Sequence, residues 1–113
     1  MLSWDDILEL AADLPEIENG TSYGTPALKV RGKFMARLRD EGTVLVVRCD
    51  LDEKPFLLEA NPETLFTTPH YDGYGAVLVR LGAVPPEELR ELLIDAWMLA
   101  APNRLVAQFN AVE

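Results

Sequence analysis

A chain of 113 residues and 12.6 kDa, 49% hydrophobic with mean hydropathy +0.03, has room for one two-layer core but not two. Its 19 acidic against 10 basic residues give a net charge of −9, which repels polyanions on average and excludes a uniformly basic nucleic-acid-binding surface. One cysteine, Cys49, excludes an intramolecular disulfide and a zinc site built on cysteine pairs, and with a single histidine, His70, it argues against a dedicated transition-metal cage, so no cofactor is expected.

No apolar run approaches the roughly 18 residues that span a bilayer. The MLSWDD start is acidic where a secretory signal is basic. A cytoplasmic protein with no membrane partner is therefore expected. Ser3 followed by Asp6 has the form of a capping box, and Trp4, Ile7, Leu8, Ala11 and Leu14 recur at helical spacing, predicting a helix over 3–14 that Pro15 closes. From 16 to 26, Gly20, Gly24 and Pro26 among Thr and Ser predict an irregular connection carrying Tyr23.

Two half-buried strands follow. Leu28 and Val30 alternate with Lys29 and Arg31, and Phe34, Ala36 and Leu38 alternate with Met35, Arg37 and Arg39. Matching the apolar faces pairs Val30 with Phe34 and Leu28 with Ala36, leaving Arg31-Gly32-Lys33 as a three-residue loop. Asp40-Glu41-Gly42 makes the next turn. In the strand 43–49 the run Val44 to Val47 is apolar throughout; Leu45, Val47 and Cys49 are placed inward and Arg48 outward. Asp50 or Asp52 is expected to cap a short helix to about residue 60, with Pro55 in its first turn and Phe56 and Leu57 or Leu58 facing in. Asn61-Pro62 breaks the chain, and 65–67 is a brief extended piece.

The aromatic turn at 69–75 then leads into a strand over 76–81, with Val77, Val79 and Leu81 on one face and Arg80 on the other. Pro86 at a first helical position and the periodic Leu89, Leu92, Leu93 and Ala96 predict a long helix over 86–100, and Pro102 starts a short last one. The fold class is α+β: an antiparallel meander sheet covered on one face by N- and C-terminal helices, with its other face open to water.

Taken together, TSYGTPALKVRGKFMARL at 21–38, NPETLFTTPHYDGYGAVLVRL at 61–81 and ELRELLIDAWMLAAPNRLV at 88–106 make the chain resemble the MmcQ/YjbR family of small bacterial proteins. The resemblance implies a single such domain over 1–113, a frataxin-like α/β sandwich, and a family often labelled DNA-binding. One departure is visible: many relatives place Trp in the strand after the aromatic turn, where this chain has Ala76.

The acids and bases are segregated along the chain. Lys29, Arg31, Lys33, Arg37 and Arg39 fall within eleven residues free of acids, and with Arg48 and Arg80 they would form a basic sheet face that contacts phosphates. An acidic protein partner fits the same face. The second candidate site is the aromatic turn, with Tyr23, His70, Tyr71, Asp72 and Tyr74 forming an interaction or small-ligand module. His70 and Asp72 have the composition of a base and its orienting acid. No activated nucleophile, nucleophile elbow or phosphate loop accompanies them, so no catalytic residue is assigned. Cys49, at the end of an apolar strand, is expected to be a buried, inert thiol. Asp5, Glu9 and Asp13 form a helical acidic stripe expected to be solvated rather than metal-binding. The sequence-level expectation is a monomeric, non-enzymatic binding protein for nucleic acid.

Overall fold

The computed structural model describes residues 1–112. In chain order its elements are helix α1 (Trp4–Leu10), strands β1 (Ile17–Ser22), β2 (Thr25–Val30), β3 (Lys33–Arg39) and β4 (Val44–Arg48), helix α2 (Lys54–Ala60), strands β5 (Leu65–Phe66) and β6 (Ala76–Arg80), and helices α3 (Pro86–Ala100) and α4 (Asn103–Val112). The six strands form one antiparallel sheet in the order β1-β2-β3-β4-β6-β5. Alternation places Leu28, Leu45, Val47, Val77 and Val79 on one face, where they pack with Ile7 of α1 and Leu93 and Trp97 of α3 in a single buried cluster. This is the expected α+β sandwich.

The helices are placed by polar ties as well as by packing. At the start of α1 the capping box is complete: Ser3 N donates to Asp6 Oδ2 (2.8 Å) and Asp6 N donates to Ser3 Oγ (3.2 Å). At its other end Arg90 of α3 reaches across and donates to the Leu10 carbonyl (2.6 Å) and to both carboxylate oxygens of Asp13 (2.6 and 2.9 Å). That guanidinium satisfies an orphan carbonyl of the last turn and carries the charge a helix C-terminus favours. Asp13, one of the acidic stripe, is thus an ion-pair partner.

These pairings set an acid sensitivity. The Arg90 hydrogen bonds hold the Asp13 carboxyl below its ordinary value, the Arg31 hydrogen bond does the same for Glu16, and the capping bonds of Ser3 do so for Asp6. A carboxyl with a depressed folded pKa contributes stability that is present above its unfolded pKa, about 4, and lost as pH falls through the folded value. Asp95 opposes this: burial, with Glu53 and Glu91 nearby, raises its pKa, so protonation relieves a penalty. With three groups against one, the urea midpoint is expected to fall as the pH drops below the ordinary carboxylate value of about 4. Asp13→Asn should flatten that fall; an unchanged pH profile in the variant would show the pair to be inert.

Several expectations are corrected. Helix α1 stops at Leu10 rather than 14, and the chain continues through turns that still bury Ala11 and Leu14. The supposed connection 16–26 contains β1, an edge strand pairing Ile17 with Val30 through to Ser22 with Thr25. Its turn, Tyr23-Gly24, has φ of 52° and 78°, the left-handed pair that a two-residue hairpin needs. The β2–β3 loop is the same device: Arg31 and Gly32 have φ of 49° and 79°, and Val30 pairs with Lys33.

Two residues in that loop instead of three would reverse every side chain of β3, but a bulge restores the register. Leu28 pairs with Ala36 as expected while Lys29 pairs with Phe34, which leaves Met35 as the extra residue. Met35 and Ala36 therefore both enter the helix-side core, and Phe34 points to the opposite face, not toward the helices. Further along, neither Asp50 nor Asp52 caps α2 with its side chain. The helix turns Lys54, Leu57 and Leu58 inward and leaves Phe56 71% exposed.

The outer sheet face is not open to water throughout. Val44, Val46, Ala76 and Leu78 are buried on it beneath Phe34, Phe66 and Tyr71, because the turn after β5 folds back across the sheet. A second, small apolar layer results, and it positions the site.

Candidate ligand pocket on the outer sheet face

The turn from Thr68 to Gly75 runs along the outer ends of β4 and β6. A 3-10 turn over Pro69–Tyr71 carries His70 and Tyr71, and Tyr74 follows. Gly75 is required where this turn joins β6, since a Cβ there would lie 2.7 Å from the Cys49 carbonyl oxygen, and Cys49 N donates to the Gly75 carbonyl (2.8 Å). The three rings cluster: His70 meets Tyr71 edge-on at 4.9 Å between centroids, and Tyr74 lies 5.9 Å from His70 and 6.1 Å from Tyr71.

Between this cluster and the β1–β2 hairpin lies a pocket of about 810 Å³. Tyr23, Phe34, Tyr71 and Tyr74 supply its ring-bearing walls, Val46 and Ala76 its apolar floor, and Arg37, Arg48 and His70 its cationic and titratable groups. The pocket joins part of each candidate site of the sequence, Arg37 and Arg48 from the basic face and four residues from the aromatic module. The fold brings together Tyr23, Arg37, Arg48, His70, Tyr71 and Tyr74 from four separate segments.

The arginines differ in what holds them. Arg37 is committed: it donates to Tyr71 Oη (3.1 Å) and Thr25 Oγ1 (3.4 Å), and its guanidinium lies 5.3 Å from the Tyr23 ring centroid. It braces the two tyrosine walls. Arg39 pairs with Asp40 (3.2 Å) and lies 5.8 Å from the Tyr71 ring centroid. Arg48, half-buried, has no hydrogen-bond or ion-pair partner among the described residues, and so is the uncommitted cation of the pocket.

The remaining predicted residues lie elsewhere. Arg31 at the hairpin tip is bound to Glu16 (2.7 and 3.0 Å), and Lys29 stands opposite Glu18 of β1, so the edge strand that the sequence concealed and the residue before it supply acids to the basic hairpin. Lys33 is exposed at the tip, away from the pocket walls. Arg80 stacks over Phe66 at 4.4 Å and donates to the Pro62 and Leu65 carbonyls (both 3.4 Å). Asp72 accepts from Thr67 Oγ1 (3.4 Å) instead of orienting His70. Cys49 is buried and its thiol is pushed up by desolvation, as expected of an inert cysteine. No cluster of metal-binding side chains is present among the described residues, and no helix there is long and apolar enough to cross a membrane.

Sequence reasoning missed Phe34, Val46, Ala76 and Lys54. The bulge hides Phe34, the continuously apolar run hides the outward half of β4, and Lys54 carries only the mild signal of a lone cation at a helix start, where acids are favoured.

With this geometry in place, comparison with known proteins decides the family. The YjbR family model matches residues 12–99, which contain the whole sheet and most of α3. The chain belongs to the YjbR family. Uncharacterized proteins from Mycobacterium bovis and Mycobacterium tuberculosis are 33% identical over 126 aligned positions, covering 98% of this chain and 98% of each relative. Among solved structures, a Deinococcus radiodurans protein with a DUF419 domain superimposes with a TM-score of 0.75 at 23% identity, over 91% of this chain and 81% of that one. A Pseudomonas syringae protein gives 0.69 at 12% identity, over 88% of this chain and 100% of its own. At those identities the structural likeness establishes a shared fold.

Proposed function

We propose that this YjbR protein is a non-catalytic binding protein that takes single-stranded nucleic acid on the outer sheet face. A base enters the pocket among Tyr23, Phe34, Tyr71 and Tyr74, while Arg48 meets the adjoining phosphate. The observation that carries this reading is an uncommitted guanidinium beside a ring-lined cavity of about 810 Å³. Base stacking on aromatic rings contributes about 1–3 kcal/mol per base and tolerates any sequence. Bases stacked inside a duplex are not available to a concave pocket. A binding rather than an enzymatic role is supported by where the titratable groups are used: the His70 ring is packed among tyrosines and Asp72 is turned to Thr67.

A second reading has its own support. The pocket volume lies within the range of small-molecule sites, about 300–1,000 Å³, so a free anionic ring compound also fits. Fluorescence anisotropy with labelled oligothymidylate and a labelled duplex, at low and physiological salt, separates the possibilities. We expect binding of the single strand, much weaker binding of the duplex, and a shallow salt slope of about −0.7 per phosphate contact. A steep slope with equal duplex affinity would point to a distributed basic face. If thymidine monophosphate competes as well as the oligonucleotide, the ligand is a small molecule, and no binding at low salt rejects the nucleic-acid reading.

A further inference from the structure

We infer that Lys54 is a positioning residue of this pocket, a buried ammonium that holds the aromatic wall in place without touching what the wall binds. Lys54 is only 4% exposed and is not among the pocket-lining residues. Its Nζ donates to the Tyr71 carbonyl and to the Tyr74 carbonyl (3.0 Å). Those carbonyls belong to two of the three tyrosines whose rings wall the pocket.

The placement is unfavourable in every other respect. Burial strips an ammonium of water, a cost recovered only through hydrogen bonds or an opposite charge. No carboxylate pairs with Lys54 among the described residues. It is the first residue of α2, where the backbone dipole disfavours a cation. What offsets these costs is the pair of turn carbonyls.

Each carbonyl is used twice. The Tyr71 carbonyl also accepts from Tyr74 N (3.0 Å), and the Tyr74 carbonyl also accepts from Ala76 N (2.9 Å). Lys54 therefore clamps a segment that includes Gly73 and Gly75, residues with the greatest freedom to lose on ordering. From Tyr71 the constraint passes to Arg37 through the Tyr71 hydroxyl, and from Arg37 to Tyr23 on the far wall. Lys54 lies at the root of that chain of contacts. The binding part of the inference rests on the nucleic-acid reading; the positioning part does not.

The test is Lys54→Met, which keeps the length and apolar stem and removes the donors. Amide hydrogen exchange followed by NMR is expected to accelerate by about tenfold or more at Tyr74 and Ala76, with amides of β4 and α3 unchanged. Affinity for labelled oligothymidylate should fall by about tenfold or more with the salt slope unchanged, because no phosphate contact is lost. Unaltered exchange in the turn overturns the inference, as does acceleration spread evenly over the sheet, the mark of general destabilisation. Local acceleration with undiminished affinity also overturns the positioning role. Failure of the wild-type protein to bind any oligonucleotide rejects the nucleic-acid reading alone, since the exchange result still decides whether Lys54 clamps the wall. If Lys54→Met does not fold, reductive methylation of the wild-type protein replaces it. Lys54 should resist modification while the other two lysines, Lys29 and Lys33, react, and modification of all three at one rate refutes the clamp.

Discussion

Replacing Trp97 by alanine is expected to lower the free energy of unfolding by about 3–5 kcal/mol, the range for deleting a large buried aromatic. Trp97 is fully buried on the sheet-facing side of α3, packs 5.1 Å from the Phe109 ring of α4, and donates its indole N–H to the Pro15 carbonyl (2.8 Å). One side chain thus joins three parts of the chain: the long helix, the last helix, and the segment between α1 and β1. Trp97→Phe separates the contributions, since it keeps most of the ring but leaves the Pro15 carbonyl unpartnered, at about 1–3 kcal/mol. Urea denaturation followed by far-ultraviolet circular dichroism measures both without relying on the removed fluorophore. A loss below about 1 kcal/mol for Trp97→Ala would show that the helical layer tolerates a cavity there by collapsing into it.

The helical layer was legible in the sequence because its signals are local. The boundaries of α3 follow from Pro86 and a regular apolar period, and the inward set of β6 follows from Val77, Val79 and Leu81 sharing a face. The outer face was not legible, for three identifiable reasons. The strand β1 has a single apolar residue, Ile17, because an edge strand buries little, and Glu-Asn-Gly-Thr-Ser reads as a loop. The bulge at Met35 cannot be seen in a pattern where Phe34, Met35 and Ala36 are all apolar, so alternation puts Phe34 on the wrong face. The unbroken run Val44 to Val47 left its face ambiguous, and the structure resolves it: both faces of β4 are covered, one by helices and one by the aromatic turn. Once that turn lies across the sheet, Arg37 and Arg48 share one pocket with the tyrosines.

On the proposed nucleic-acid reading, the basic residues are expected to be unequal in binding. Arg48→Ala is expected to weaken oligothymidylate binding by about tenfold or more and to reduce the salt slope by about 0.7, the signature of one lost phosphate contact on a single strand. Tyr23→Ala, which removes a ring 91% exposed at the pocket mouth, should weaken binding by the roughly 1–3 kcal/mol of one stacked base while leaving the slope alone. Arg37→Ala is expected to resemble the tyrosine variant rather than Arg48→Ala, because Arg37 braces Tyr71 and Tyr23 through contacts it already makes. Arg31→Ala with Lys33→Ala should change little: Arg31 is neutralised by Glu16, and Lys33 stands away from the pocket. His70→Ala lies between, losing a ring from the cluster but no phosphate contact. Both size and slope of each effect are read from one set of salt titrations by fluorescence anisotropy, with circular dichroism confirming that every variant is folded. A loss on removing Arg31 and Lys33 that equals the loss on removing Arg48 would mean that the hairpin, not the pocket, meets the phosphates.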